Sequence, residues 1–316
     1  MNLISQILHL MTTAGLWQLT LTVGALLLLP ALGGVISERS GVTNIAMEGM
    51  MLTGAFVSIV ADLAWHNPWL STLLAIFCGG LMATIHAVIS IRFRADQIIA
   101  GFAINIFAAG VTTYLDDKFY NYNGAGHVNQ ANMLPFIRVP VLDKIPFFGQ
   151  VLFEQNIIVY VAILLLVVTQ FALFRTKLGL RVRAVGEHPQ AADTAGINVY
   201  ALRYGAVITS GLLSGLGGAF LAIGIENTFN PNMTNGRGYI ALAAMIFGKW
   251  TPIGSFIACL IFGLGYALFA NNSSISASPF LLNMLPYVFT LIVLAGLVGR
   301  STPPAADGIP YEPGVE

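Results

Sequence analysis

The sequence predicts an all-α polytopic membrane protein with about nine (eight to ten) transmembrane helices, and three observations point to it. Charge is scarce: 9% of residues are charged and 56% are hydrophobic, whereas a soluble domain carries about a quarter charged residues. Mean hydropathy is +0.78. Apolar runs near the ~20 residues that cross a hydrocarbon core recur along the whole chain. They are continuous rather than alternating, which excludes a β-barrel. Formal net charge is +0, so no nucleic-acid partner is indicated, and membrane lipid is the surrounding these runs require. Cys78 and Cys259 both fall inside apolar runs and read as small buried hydrophobes rather than a disulfide or metal site.

The runs fall at 16–37, 42–64, 68–91, 96–115, 156–174, 202–223, 239–250, 253–270 and 279–299. Residues 1–300 thus form a single transmembrane domain. The first run has no Lys or Arg ahead of it and no small-residue cleavage site, so a removable signal peptide is not expected. Residues 1–15 could be an interfacial helix or part of a further span. An outward N-terminus places Arg39, Arg92, Arg94, Arg175, Lys177, Arg181, Arg183, Arg203, Lys249 and Arg300 in the cytoplasm. It leaves Lys118, Arg138, Lys144 and Arg237 outside, a split of ten to four that satisfies the positive-inside rule. The outer segment 116–155, with Pro135, Pro140 and Pro146, reads as a structured cap or as a solvated loop. The cytoplasmic tail 301–316, with Pro303, Pro304, Pro310 and Pro313, is expected to be disordered.

The run at 239–250 is too short to span. About twelve residues cover about 18 Å of a hydrocarbon core about 30 Å thick. It ends in Gly248-Lys249-Trp250-Thr251-Pro252-Ile253-Gly254, which predicts a broken or re-entrant helix near 239–254, lodged against protein or a water-filled cavity. An ordinary helix starting near Met233, with Arg237 snorkelling, is the alternative. Two pairs of segments resemble each other: Ile45–Met50 with Ile240–Met245, and Ala31–Val35 with Gly215–Ala219. In this topology the members of each pair run in opposite directions, the pattern of an inverted repeat.

Glu48, in GVTNIAMEGMMLTGAF (41–56), is a charge within an apolar run. A charge at the centre of a membrane helix costs roughly 2.5–3.5 kcal/mol on insertion scales, so Glu48 faces protein or water. It lines the pathway or serves as a structural carboxylate near a helix end. Asn44, one helical turn earlier, would share its face. Asn105, in GFAINIFAAG, and Asn283, near Pro286, could bind polar substrate atoms or join helices. His86, alone in its run, reads as a packing histidine. Gly33-Gly34, Gly79-Gly80, Gly217-Gly218 and Gly263-Leu264-Gly265 read as close helix contacts.

The longest basic interruption runs from Arg175 to Arg203. Within it, Glu187 precedes a short helix that His188 and Pro189 open and that continues through Ala192 and Asp193 to a stop at Gly196. A helix of about two turns holds its shape only against something else, so 175–201 reads as a cytoplasmic docking element. No P-loop, H-E-x-x-H or G-x-S-x-G occurs, and no catalytic residue is assigned. If ATP drives transport, its hydrolysis and its Mg belong to a partner chain.

GVTNIAMEGMMLTGAF (41–56), TKLGLRVRAVGEHPQAADTAGINV (176–199) and GRGYIALAAMIFGKWTPIG (236–254) resemble the membrane permeases of bacterial ABC importers. The superfamily takes up branched-chain amino acids and simple sugars, and the N-I-A-x-E-G form is nearest its nucleoside-uptake branch. The resemblance covers residues 30–300. It implies a multi-pass protein of the bacterial inner membrane that supplies half of a nucleoside pathway. Its implied partners are a second, homologous permease, a cytoplasmic ABC ATPase that binds ATP-Mg, and an extracytoplasmic substrate-binding protein or lipoprotein. The family's coupling helix matches His188–Gly196, which gives Glu187, His188, Pro189, Ala192, Asp193 and Gly196 an expected role in ATPase coupling. Asn44, Glu48 and Asn105 stand as pathway candidates from their chemistry alone. Sugars and branched-chain amino acids are the alternative substrates. An ion-coupled carrier using Glu48 is the alternative mechanism, and a membrane enzyme is disfavoured by the absence of paired catalytic groups.

Overall fold

The computed structural model describes residues 9–118, 131–138, 140, 143, 145–271 and 301–313. Among them, seven helices are long and apolar enough to cross a membrane. These are α1 (Ala14–Glu38), α2 (Met47–Trp65), α3 (Pro68–Ala87, continued by a π-helical turn Val88–Arg92), α4 (Gln97–Asp116), α6 (Ile157–Arg175), α9 (Val199–Ala219, continued as a π-helix Phe220–Glu226) and α11 (Pro252–Ala270). The shorter helices are α5 (Phe148–Phe153), α7 (Lys177–Glu187), α8 (Pro189–Thr194) and α10 (Arg237–Phe247). A two-stranded antiparallel ribbon pairs β1 (Phe136–Arg138) with β2 (Glu154–Asn156). The sequence expectation of a span at 279–299, with Asn283, lies outside the described residues.

Helix starts follow capping chemistry. Side chains of Asn67, Asp96, Asn156, Thr176, Asn198 and Thr251 accept backbone N–H groups at the first turns of α3, α4, α6, α7, α9 and α11, satisfying donors that would otherwise be orphaned. Proline opens α3, α8 and α11, where its missing N–H loses nothing. Helix α1 is apolar all round and buried along most of its length, as a central helix must be. It packs against α9 and α11, and α9 packs also on α3 and α2. These contacts are close because they are built on glycine. A Cβ at Gly218 would overlap the carbonyl oxygen of Met51, and one at Gly79 would overlap that of Gly211, so the glycine pairs serve as helix contacts.

Helices α4 and α6 keep large apolar residues outward, among them Ile99, Phe102, Ile106, Phe107, Val167 and Phe171. Such faces suit lipid or another subunit rather than water.

Arginines gather at one end of the bundle. The Arg39 guanidinium donates to the Trp250 and Lys249 carbonyls at 2.9 and 3.3 Å, and it lies with Arg183 against the Phe174 ring. Arg203, almost wholly buried, donates to the Ser40 and Ile309 carbonyls.

Two sequence expectations are corrected here, and one is located. The tail is not disordered over 301–313: the Ala306 N–H donates to the Gly186 carbonyl at 2.9 Å, Arg94 pairs with Glu312 at 2.6 Å, and Tyr311 is buried among Val185, Ala192 and Val199. Its prolines prevent helix but leave an extended path along which Ala306 and Tyr311 find apolar seats. The short helix and break expected near 239–254 are present: α10 stops at Phe247, Lys249 and Trp250 take positive φ, and the turn is held by Arg39 and closed by Thr251 at the start of α11. A second irregular stretch lies ahead of the short helix, at 227–236, where Asn227, Asn232 and Asn235 take positive φ and Gly236 has φ +81°. Finally, Asn44 is not one turn before Glu48 on a shared helix, because α2 begins at Met47.

The two readings of the outer segment resolve towards a cap where residues are described. The Leu134 N–H donates to Ile223 at 3.0 Å, and Asn156 Nδ2 donates to the Leu134 and Gly224 carbonyls at 3.2 and 3.3 Å. The ribbon thereby lies on the π-helical end of α9. The segments that resembled each other also run in opposed senses. Along α1 and α9, Gly33 meets Ser210 while Gly217 meets Pro30, so the two helices are antiparallel.

Candidate functional site: a cleft where two helix N-termini meet

Helix α10 rises from the basic end for only eleven residues, about 16 Å or half of a hydrocarbon core. Its N-terminus therefore opens near the middle of the bundle, and so does that of α2, because residues 39–46 turn back inward before the helix begins. Helix N-termini expose unpaired N–H groups and a partial positive charge. Each is capped here by a side chain from elsewhere. Glu48 accepts the Gly236 N–H on Oε1 at 2.8 Å and the Gly238 N–H on Oε2 at 2.6 Å. Asn105 accepts the Gly49 N–H at 2.8 Å, while its Nδ2 donates to the Ile45 carbonyl at 3.0 Å and to the Tyr239 hydroxyl at 2.9 Å. Gly238 permits this approach, since a Cβ there would sit 2.6 Å from Glu48 Cα.

The two caps border a cleft of about 290 Å³ lined by Glu48, Asn105, Asn232, Asn235, Tyr239 and the apolar Leu52, Ile106 and Ala109. It shares Ile106, Ala109 and Asn232 with a second, wider cavity of about 610 Å³ that continues along α4 past Thr113 and Tyr114 to Asp117. Together they form one track along the outward apolar face of α4. Among the described residues, no Lys or Arg lines either cavity; Arg237 turns away to the Met233 and Thr234 carbonyls and the Tyr266 ring.

Glu48 and Asn105 are brought together, as the two candidates of one site. Asn44 is not among them. It is wholly buried, donates to Ser210 Oγ at 2.8 Å and accepts the Ala46 N–H at 3.1 Å, and it lines neither cavity. His86 is likewise buried, with Nε2 at 3.1 Å from the Thr43 carbonyl. Asn232, Asn235 and Tyr239 were missed. The signal for the asparagines was present as N-P-N-M-T-N-G, a run rich in residues that tolerate positive φ.

At the basic end, α7 and α8 form a corner whose apex is Glu187 and His188, both exposed. Pro189 and Ala192 turn inward, and Gln190, Ala191, Asp193 and Thr194 turn outward. Gly196, at φ +80°, ends the helix with its N–H on the Asp193 carbonyl at 2.8 Å, as a left-handed stop requires. Ala192 packs on Val185, Val199 and Tyr311, so it seats the helix rather than presenting a surface.

Residues 18–298 match the family described as the permease component of the branched-chain amino acid transport system. The chain is 42% identical over 297 residues to the nucleoside ABC transporter permease protein NupC of Lactococcus lactis subsp. cremoris, covering 90% of this chain and 92% of the relative. It is 43% identical over 307 residues to the guanosine ABC transporter permease protein NupQ of Bacillus subtilis, covering 92% and 94%. A second Bacillus subtilis protein, the guanosine ABC transporter permease protein NupP, is 26% identical over 246 residues, covering 75% and 69%. No solved structure matches the chain. This chain therefore belongs to the branched-chain amino acid transport system permease family: it is an ABC transporter permease of the bacterial inner membrane, multi-pass, and a transport component rather than an enzyme.

Proposed function

We propose that this chain is one of two permease subunits of an ATP-driven nucleoside importer, and that the cleft between Glu48, Asn105, Asn235 and Tyr239 is its half of the substrate path. The observation that carries this reading is the chemistry of the lining. Its hydrogen-bonding groups are amides and a phenol, and its one carboxylate already accepts two backbone N–H groups. Amides can both donate to and accept from a base edge or a ribose hydroxyl, and Tyr239 and Tyr114 offer ring faces for stacking. An amino acid or a phosphate ester would bring an anionic group to a cleft that has no lining cation among the described residues, at a desolvation cost of several kcal/mol. Nucleosides avoid that penalty, and the names of the similar permeases NupC and NupQ agree.

The track lies on the apolar outer face of α4, so a second permease packed there would enclose it. Outward residues of α8 would seat a separate cytoplasmic ATPase that binds ATP-Mg. An extracytoplasmic binding protein or lipoprotein would deliver the solute to the capped outer side. Closure of the ATPase would rock the helices on either side of α8 between outward- and inward-open states.

Uptake of labelled guanosine and uridine by cells expressing the complete transporter tests the substrate. Excess unlabelled nucleoside is expected to compete; competition by ribose or leucine, with nucleosides inert, would refute the assignment. Collapse of uptake by an uncoupler while ATP remains would favour an ion-coupled carrier instead. Docking is tested by Ala191→Arg on the outward face of α8, which is expected to lower co-purified ATPase at least tenfold while membrane insertion is unchanged.

A further inference from the structure

The tail does more than lie on the surface. Over residues 304–312 it crosses from the α7–α8 corner to the segment that leads into α2, touching both. At the corner, the Ala305 N–H donates to the Glu187 carboxylate at 3.1 Å and the Ala306 N–H to the Gly186 carbonyl at 2.9 Å. The Tyr311 ring packs on Ala192 and lies edge-on to Tyr200, with centroids 5.5 Å apart. Across from the corner, Thr43 Oγ1 donates to Asp307 Oδ1 at 3.0 Å. Arg203 ties the Ile309 carbonyl to the Ser40 carbonyl through Nη1 and Nε, at 3.0 and 3.2 Å.

From that side the contacts continue without a gap to the cleft. The Thr43 N–H donates to Gln97 at the start of α4. Asn44 binds Ser210 and the Ala46 N–H, and the Ile45 carbonyl accepts Asn105 Nδ2. Asn105 in turn holds the first turn of α2 and Tyr239. The corner also meets this segment directly, where Gly186 packs on the backbone of Arg39 and Gly41; the inward side of α8 itself is Pro189 and Ala192.

We propose that residues 304–312 are a strap that transmits movement of α8 to residues 39–46 and so to the cleft, with Tyr311 and Asp307 as its positioning residues. This rests on α8 being the ATPase seat. Helix α8, at six residues, holds its shape only against its neighbours, and the strap adds to the direct Gly186 contact a second attachment between it and residues 39–46. A continuous set of contacts is only a route until coupling across it is measured.

The test uses the assembled transporter in proteoliposomes with its ATPase and binding protein. For Tyr311→Ala, co-purified ATPase is expected to stay within twofold of the parent, while substrate transported per ATP hydrolysed falls at least fivefold. Tyr311→Phe, which keeps the ring, is expected to restore that ratio to within twofold. An unchanged ratio in Tyr311→Ala overturns the proposal, and so does loss of ATPase in step with loss of uptake, which would make the tail part of the dock alone. A second variant keeps the idea testable if Tyr311→Ala does not fold. Thr43→Cys with Asp307→Cys, in a Cys78→Ala background, is joined by a short bis-thiosulfonate linker. A strap that transmits keeps its transport ratio when linked; reversible loss of transport on linking overturns the proposal. Failure of the underlying seat shows separately, as ATPase retained by Ala191→Arg.

Discussion

Replacing Glu48 by glutamine removes a charge while keeping the shape, and the structure fixes what is lost. The carboxylate accepts two N–H groups, from Gly236 and Gly238, one on each oxygen. An amide offers one oxygen to those two donors and turns an NH2 towards the other. One charge-assisted hydrogen bond, worth about 1.5–3 kcal/mol, is lost and a backbone N–H is left facing a donor. The favourable interaction of a negative group with the α10 N-terminus, about 0.3–1 kcal/mol or up to about 2 when partly buried, goes with it. The sum is about 2–5 kcal/mol against the seated position of α10. Even the lower figure shifts a two-state equilibrium about thirtyfold. Glu48→Gln is therefore expected to insert and assemble normally but to transport nucleoside at well under a tenth of the parent rate in proteoliposomes of equal protein content. A cysteine placed at Asn235 should also become more reactive towards aqueous maleimide as α10 loosens. Parent-level uptake, with unchanged reactivity at 235, would show that the carboxylate neither holds α10 nor serves the path.

Three further outcomes follow from neighbouring residues. Gly238→Ala would set a Cβ 2.6 Å from Glu48 Cα, against backbone that cannot swing aside, so it should destabilise the fold by about 1–3 kcal/mol, read as a lower melting midpoint in detergent. Asn44→Ala removes two buried hydrogen bonds and should cost about 2 kcal/mol of stability, yet leave the apparent affinity for nucleoside unchanged, because Asn44 does not line the cleft. Burial raises the Asp307 carboxyl from 3.8 to about 6, against the lowering effect of its hydrogen bonds to Thr43 and Glu38 and of the Arg203 charge. The docked strap then holds its proton more tightly than the released strap. Docking is strongest below about pH 4, weakens as pH climbs through 4 to 6, and levels off above that. Between pH 5 and 7.5 the change is about 1.4 kcal/mol, roughly tenfold, measurable as faster proteolysis of the tail at the higher pH; Asp307→Asn should flatten that dependence.

Most of the bundle was legible in the chain because membrane crossing leaves a length signal. The runs at 16–37, 68–91, 156–174 and 253–270 correspond to α1, α3, α6 and α11 to within a few residues. Glu48 was legible for a different reason: an ionisable group in an apolar run demands a partner. The partner was not legible. Two backbone N–H groups 188 and 190 positions away carry no residue-type signature, and neither does the cap that Asn105 supplies to α2. The tail misled because four prolines and few apolar residues match the composition of disordered segments, while its anchoring rests on four side chains, Ala306, Asp307, Tyr311 and Glu312, and on backbone groups that composition does not register. Ala192 misled for a geometric reason. A six-residue helix gives too short a window for periodicity to tell its inward face from its outward one.

The repeat in the sequence acquires a physical meaning at the cleft. Ile45–Met50 opens α2 and Ile240–Met245 lies within α10, which begins at Arg237, and the two helices run apart from their adjoining N-termini in opposite directions. An arrangement of this kind brings two helix N-termini together, each equivalent to roughly half a positive charge. Left alone, the pair would present about one positive charge in a medium where unpaired charge is costly. One half of the repeat answers with Glu48, whose single negative charge offsets both termini; the corresponding position in the other half is Ala243, which carries none. Asn105, a neutral amide, completes the remaining cap. The lining is thereby close to electroneutral while staying rich in donors and acceptors, and if this cleft is the path, as proposed above, those two properties together would favour an uncharged, hydrogen-bonding solute over an amino acid or a nucleotide.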